Sequence, residues 1–206
     1  MKRVAIIGTP GIGKTTILNE LKKICGNQLK FNVEEEKYSY LEKAYKDMKK
    51  WSFIMQMDFL MLRLRTLHYS YQEKLENINA IIFDRSFIDD YIYAKQAFQK
   101  NWISQKNFEE YKSLFNNFVN LSVSENFNYD LIIILTEDEK GDAAKRRIKR
   151  NRFIEKQLDH FEEIDEVYAS EEIINHCKKF VPKVEVVKNL NNKQKDVALK
   201  IISLIQ

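Results

Sequence analysis

The sequence predicts an α/β fold, a parallel sheet of five strands with helices on both faces. Three observations carry that expectation. Short β-branched apolar runs alternate with helix-patterned segments along all 206 residues. The first run stops at a glycine-rich loop, and helical periodicity begins directly after it. Only five Gly and two Pro occur, too little punctuation for a chain built of many hairpins.

Each element has its own signal. Val4 to Ile7 is apolar at every position, as a strand buried on both faces requires. From Lys14 onward, Ile17, Leu18, Leu21 and Ile24 share one side of a helix that Gly26 stops. Strand-like runs recur at Leu29 to Val33, Ala80 to Phe83, Leu131 to Leu135 and Val184 to Val187. Between them, Tyr40 to about Glu76 lacks Gly and Pro and carries Trp51, Ile54, Met55, Phe59, Leu62 and Leu67 at helical spacings, so it forms one or two helices. Phe87 to about Val123 is a second long helical stretch, with a polar break near Asn101 to Lys106. A last helix, Gln194 to Ile205, returns Val197, Ile201, Ile202 and Ile205 to the core. With no repeat, low-complexity tract or linker, residues 1–206 are expected to fold as one domain.

Composition narrows the function classes. A hydrophobic content of 44% suffices to bury a core without disulfides or metal. The 34 Lys and Arg against 30 Asp and Glu leave a net charge of +4, too small an excess to call for a nucleic-acid or membrane partner. Cys25 and Cys177 lack zinc or disulfide spacing. His68, His160 and His176 stand alone in charged helical contexts and are read as surface or packing residues. Met1, Lys2 and Arg3 precede the first strand with no apolar segment of signal-peptide or bilayer-spanning length, so the expected location is cytoplasmic.

The chemistry starts at Gly8-Thr9-Pro10-Gly11-Ile12-Gly13-Lys14-Thr15, a phosphate-binding loop of Gly, four residues, Gly, Lys and Thr. It lies between a strand and a helix, as its mechanism demands. Glycines let backbone N–H groups turn around a phosphate, and the helix N-terminus adds its positive dipole end. Lys14 reaches the β- and γ-phosphates, Thr15 is a candidate Mg²⁺ ligand, and the ATP-binding run extends through Thr16. Asp84 closes the third strand, where a carboxylate can hold the metal or its waters, and Arg85 follows it. A cluster of Arg146, Arg147, Arg150 and Arg152 after strand four suits a lid that closes on phosphoryl oxygens. The alternative for that cluster is a solvated basic helix face. A GTPase is disfavoured because no Asn-Lys-x-Asp guanine-reading motif is present.

Four stretches, in order, resemble the deoxynucleoside kinase family. Beyond the loop they are Tyr45 through Trp51-Ser52-Phe53-Ile54-Met55-Gln56, with Arg63 seven residues on; Asp84-Arg85-Ser86 leading to Asp90; and Arg146, Arg150 and Arg152 with Glu155. The resemblance implies a P-loop NTPase fold with an Arg-rich lid at about 137–156, and a kinase moving the γ-phosphate of ATP, with Mg²⁺, onto the 5′-hydroxyl of a deoxynucleoside. It further implies that Gln56 bonds the base edge, that Arg63 and Asp90 shape the pocket around its exocyclic group, and that Tyr45 and Glu155 hold the 3′-hydroxyl. Trp51 either lines the base pocket or fills the core. Glu34, with Glu35 second, is the candidate general base, oriented by Arg85. In place of the Glu-Pro common in the family stands Val33-Glu34-Glu35-Glu36. A homodimer through the long helices is implied too, and Tyr91, Phe98 and Phe115 either serve that contact or fill the core. Purine or cytosine types are favoured over thymidine. Two alternatives stay open: a thymidylate-type monophosphate kinase, which needs a further basic residue, and a nucleotide-binding regulatory protein without transfer activity.

Overall fold

The computed structural model describes residues 1–33, 40–73, 75–150 and 159–206. They form two compact units, the first comprising Met1–Val33, Lys74–Arg85 and Tyr129–Gln206, the second Glu34–Glu73 and Ser86–Asn128. No crossing between the units coincides with a Gly-, Pro- or Ser-rich stretch, which is why composition alone reads as one domain.

The first unit holds the sheet. Strands β1 (Lys2–Ile7), β2 (Leu29–Asn32), β3 (Ala80–Asp84), β4 (Leu131–Glu137) and β5 (Val184–Asn189) lie in the order β2-β3-β1-β4-β5. Every pairing is parallel. Register extends the strands past their apolar runs. Lys2 is drawn in by its pairing with Ala80, and β4 reaches Glu137 because Glu137 pairs with Asn189. Helix α1 (Lys14–Cys25) and helix α9 (Gln194–Ile205) cover one face, where Val4, Ile6, Ile17, Leu18, Leu21, Val197 and Ile201 form a buried cluster. Removing each such side chain from water stabilises by roughly 1.5–3 kcal/mol. The loop after β1 is therefore anchored in this buried cluster through Ile12. Between β4 and β5 lie α6 (Asp142–Arg150), α7 (Asp159–Ala169) and α8 (Glu171–Lys178).

The second unit is helical among its described residues: α2 (Leu41–Lys46), α3 (Met48–Gln72), α4 (Phe87–Gln99) and α5 (Gln105–Ser124). Asp47 separates α2 from α3. Its non-helical backbone ends the first helix, and its carboxylate accepts from the Lys50 N–H to cap the second. The polar break foreseen after α4 is a turn in which Asn101 takes a left-handed backbone and Ser104 caps α5. Phe98 stacks on Phe108 at 4.6 Å, and Tyr91 packs on Phe115 at 5.1 Å, so these rings fill the unit. His68 packs edge-on against Phe127, and His176 of the first unit does so against Phe180. Among the described residues no helix is long and apolar enough to cross a membrane.

Candidate active site

The phosphate loop leaves the C-terminal end of β1 at the sheet centre, where β1 is flanked by β3 and β4. Gly11 and Gly13 adopt φ of 86° and 102°, a left-handed region that L side chains resist. A Cβ on Gly11 would lie 2.5 Å from the Ala143 carbonyl oxygen, and one on Gly13 2.6 Å from the Asn189 amide nitrogen. Only glycine fits at either place. Ile12, between them, is buried in the sheet cluster and roots the loop. Helix α1 then starts with no acidic residue in its first turn, which leaves its positive end available to an anion. Thr15 and Thr16 are exposed in that turn.

Every loop carbonyl from Gly8 to Gly13 has a partner. Lys14 Nζ donates to the Gly8 oxygen at 2.9 Å and the Thr9 oxygen at 3.4 Å. Arg147 Nη1 donates to the Pro10 oxygen at 2.6 Å. Arg146 Nη1 reaches the Gly11 and Ile12 oxygens at 3.4 and 2.9 Å, and Asn189 Nδ2 also donates to Ile12. The Gly13 oxygen accepts from the Ile17 N–H in the first turn of α1. In a planar peptide the N–H points opposite the oxygen. Holding the Pro10 and Ile12 oxygens on one side therefore presents the Gly11 and Gly13 N–H groups on the other, as a phosphate cradle requires.

Asp84 and Arg85 stand at the end of β3, with Asp84 in register with Ile6. The Arg85 N–H donates to the Ile6 oxygen, and its backbone takes φ of 73°, uncommon outside glycine. Such strain persists only where surroundings enforce it, and it clusters at functional sites. The Thr15 hydroxyl and Asp84 carboxylate are hard oxygen donors of the kind Mg²⁺ takes.

The arginine cluster divides. Arg146 faces the loop and bonds Asn191 Oδ1 at 2.6 Å. The Asn191 amide also donates to Asp142, and that bond, with smaller help from neighbouring groups, holds the Asp142 carboxyl below the ordinary carboxylate range. Arg147 turns inward, with no exposed side chain, and forms a bidentate ion pair with Asp165 at 2.5 and 3.0 Å. Arg150 is exposed on α6. Arg152 and Glu155, and the candidate bases Glu34 and Glu35, lie outside the described residues.

The second unit gathers Gln56, Arg63 and Asp90. Gln56 and Arg63, two turns apart on one face of α3, are both buried. Arg63 Nη1 bonds Asp90 Oδ2 at 3.2 Å, and its guanidinium lies 4.9 Å from the Phe59 ring centre. Gln56 Oε1 and the Tyr111 hydroxyl are buried without a hydrogen-bond partner among the described residues. Burial, and secondarily the Asp90 carboxylate, pushes the Tyr111 phenol well above its ordinary range. Tyr45 and Trp51 pack half-buried against Ala44, Met48 and Met55, with the Trp51 ring 5.9 Å from Tyr40.

Sequence reasoning missed Tyr111, Asp165, Asn189 and Asn191. Asp165 did carry a signal, for it falls on the face of α7 that Phe161, Ile164 and Tyr168 bury, where a carboxylate needs a partner. Asn189 carried none, since its role depends on β4 holding β5 in register.

Comparison with known proteins completes the picture. The family model described as deoxynucleoside kinase matches residues 4–206. A deoxyadenosine/deoxycytidine kinase of Bacillus subtilis is 31% identical over 156 residues, covering 75% of this chain and 68% of that protein. A deoxyadenosine kinase of Dictyostelium discoideum is 29% identical, covering 89% of this chain and 71% of its own. Among solved structures, a deoxyadenosine kinase from M. mycoides with dCMP and a flexible dCDP bound superposes with a TM-score of 0.75 at 27% identity, covering 98% of each chain. With a family match from the first strand to the last residue and a formed phosphate loop, this chain belongs to the deoxynucleoside kinases, a family of ATP-dependent kinases.

Proposed function

We propose that the protein transfers the γ-phosphate of ATP to the 5′-hydroxyl of a deoxynucleoside, accepting purine or cytosine bases over thymine. The observation that carries the acceptor is the buried ion pair between Asp90 of α4 and Arg63, which shares a face of α3 with Gln56. Burying an ion pair costs several kcal/mol of desolvation per charge, so such a pair is weak support for stability and fits a recognition role. Gln56 supplies an amide donor and acceptor for a base edge, and Arg63 with Asp90 bounds the exocyclic group. Tyr45 and Glu155 hold the 3′-hydroxyl, and Trp51 borders the base.

On the donor side, Lys14 and the loop amides from Gly8 to Thr16 carry the phosphates, while Arg146, Arg150 and Arg152 meet the phosphoryl oxygens. Glu34, with Glu35 second, takes the 5′-hydroxyl proton as the oxygen attacks the γ-phosphorus. Its bond to the bridging oxygen breaks and ADP leaves. Arg85 orients that carboxylate and stabilises the charge on the transferring group. Mg²⁺ held by Thr15 and Asp84 would offset charge on the β- and γ-oxygens. The protein works in the cytoplasm as one catalytic domain and dimerises through its helical unit, in keeping with the exposed Met61, Tyr69, Leu121 and Val123.

Initial rates over deoxyadenosine, deoxyguanosine, deoxycytidine and thymidine, with dTMP as a further acceptor, test this reading. A purine or cytosine deoxynucleoside is expected to exceed thymidine by about tenfold or more in kcat/KM. Turnover of dTMP alone would instead assign a monophosphate kinase.

A further inference from the structure

We propose that Asp165 is a positioning residue for ATP, setting the shape of the phosphate loop through Thr9 and Arg147 rather than by contact with the nucleotide. The Thr9 hydroxyl donates to Asp165 Oδ1. That same oxygen accepts from Arg147 Nη1 at 3.0 Å, and Oδ2 accepts from Arg147 Nη2 at 2.5 Å. Arg147 Nη1 in turn donates to the Pro10 carbonyl at 2.6 Å. One carboxylate on α7 thus grips two consecutive loop residues, Thr9 by its side chain and Pro10 through a guanidinium.

Three features make this a positioning device rather than a surface ion pair. Arg147 is fully buried, with its guanidinium 5.1 Å from the Phe161 ring centre, so its fork has little freedom to swing away. Drawing the Pro10 oxygen toward Arg147 turns the next peptide N–H, that of Gly11, to the opposite side, where a phosphate cradle needs it. Contact at Gly11 is also tight enough to transmit a shift, because an added Cβ would meet Arg147 Cγ at 2.9 Å. Charge supports the same assignment. A lone carboxylate beside a loop that binds a polyanion would repel it, and the bidentate guanidinium cancels that charge while keeping the hydrogen bonds.

The inference rests on the phosphate loop binding ATP, as proposed above. Its test compares Asp165→Ala, Asp165→Asn, Thr9→Val and the Thr9→Val/Asp165→Ala double variant of the full chain. Mg²⁺-ATP affinity is measured by calorimetry without acceptor, KM for ATP and for deoxyadenosine by assay, and the unfolding midpoint without nucleotide. Asp165→Ala is expected to weaken ATP binding by about tenfold or more, the loss of charge-assisted hydrogen bonds. The KM for deoxyadenosine should stay within about twofold, and the double variant should bind ATP no more weakly than the worse single one, as for residues acting in one chain. Asp165→Asn keeps the volume and one acceptor, and it decides the matter if the alanine variant does not fold. Unchanged ATP affinity in the folded Asp165 variants, additive losses in the double variant, or equal losses for ATP and deoxyadenosine would each overturn the inference. If wild-type protein binds Mg²⁺-ATP but phosphorylates no deoxynucleoside, the acceptor reading fails, and the calorimetric comparison still decides the role of Asp165.

Discussion

Arg63 is 8% exposed and Asp90 3% exposed, so neither charge of this pair has bulk water to fall back on. Truncating one partner breaks a buried ion pair, at a cost of roughly 3–5 kcal/mol. Arg63→Ala should therefore unfold at markedly lower urea than wild type, a shift read directly from the denaturation midpoint. Tyr111 gives a pH-dependent counterpart. Its folded phenol is held above the ordinary 10.0, first by burial and then by Asp90, so the native state resists ionisation that the unfolded chain accepts. The stabilisation it contributes is complete below that ordinary value and is lost as pH rises above it. Tyr111→Phe should accordingly be more stable relative to wild type with each step above about pH 10, and nearly equal to it at neutral pH. The sequence singles out Lys14, Arg63 and Asp90 because a motif or a resemblance marks each one. Tyr111 was not legible there, since what distinguishes it is burial and the charge of Asp90, while Asp165 showed only as a carboxylate on the buried face of α7, without its partners.

At the scale of elements, Ser86, just past β3, opens α4 with a reciprocal cap. Its hydroxyl accepts from the Asp89 N–H at 3.1 Å, and Asp89 Oδ1 accepts from the Ser86 N–H at 2.7 Å. Ser86→Ala should cost about 1 kcal/mol, seen as a lower thermal midpoint. The effect belongs to the start of α4, the helix that carries Asp90. The five strands could be read to within two residues, because runs such as Val4 to Ile7 are apolar throughout. The ends at Lys2, Glu137 and Asn189 could not, since polar residues join a strand only when a neighbour in register supplies hydrogen bonds. Asp47, inside the stretch read as one or two helices, is the cap that divides it in two. Helices α7 and α8 were not resolved as separate elements because their charged sequences hide the boundary that Ser170 makes by capping α8.

For the whole molecule, strand order decides where chemistry is possible. With β1 central and the chain turning to β3 on one side and β4 on the other, the C-terminal edge forms the crevice at which α/β sheets bind ligands. The phosphate loop, Asp84 and Arg85 all stand on that edge, while the helical unit carries the paired charges assigned to the acceptor. The measurement that tests this account most directly is the fate of labelled phosphate. ATP carrying ¹⁸O on its γ-phosphate is incubated with the protein and deoxyadenosine or deoxycytidine, and the products are read by mass spectrometry. The account predicts labelled 5′-monophosphate formed one for one with ADP; ADP released with label only in free phosphate, or no consumption of ATP with any deoxynucleoside, would contradict it.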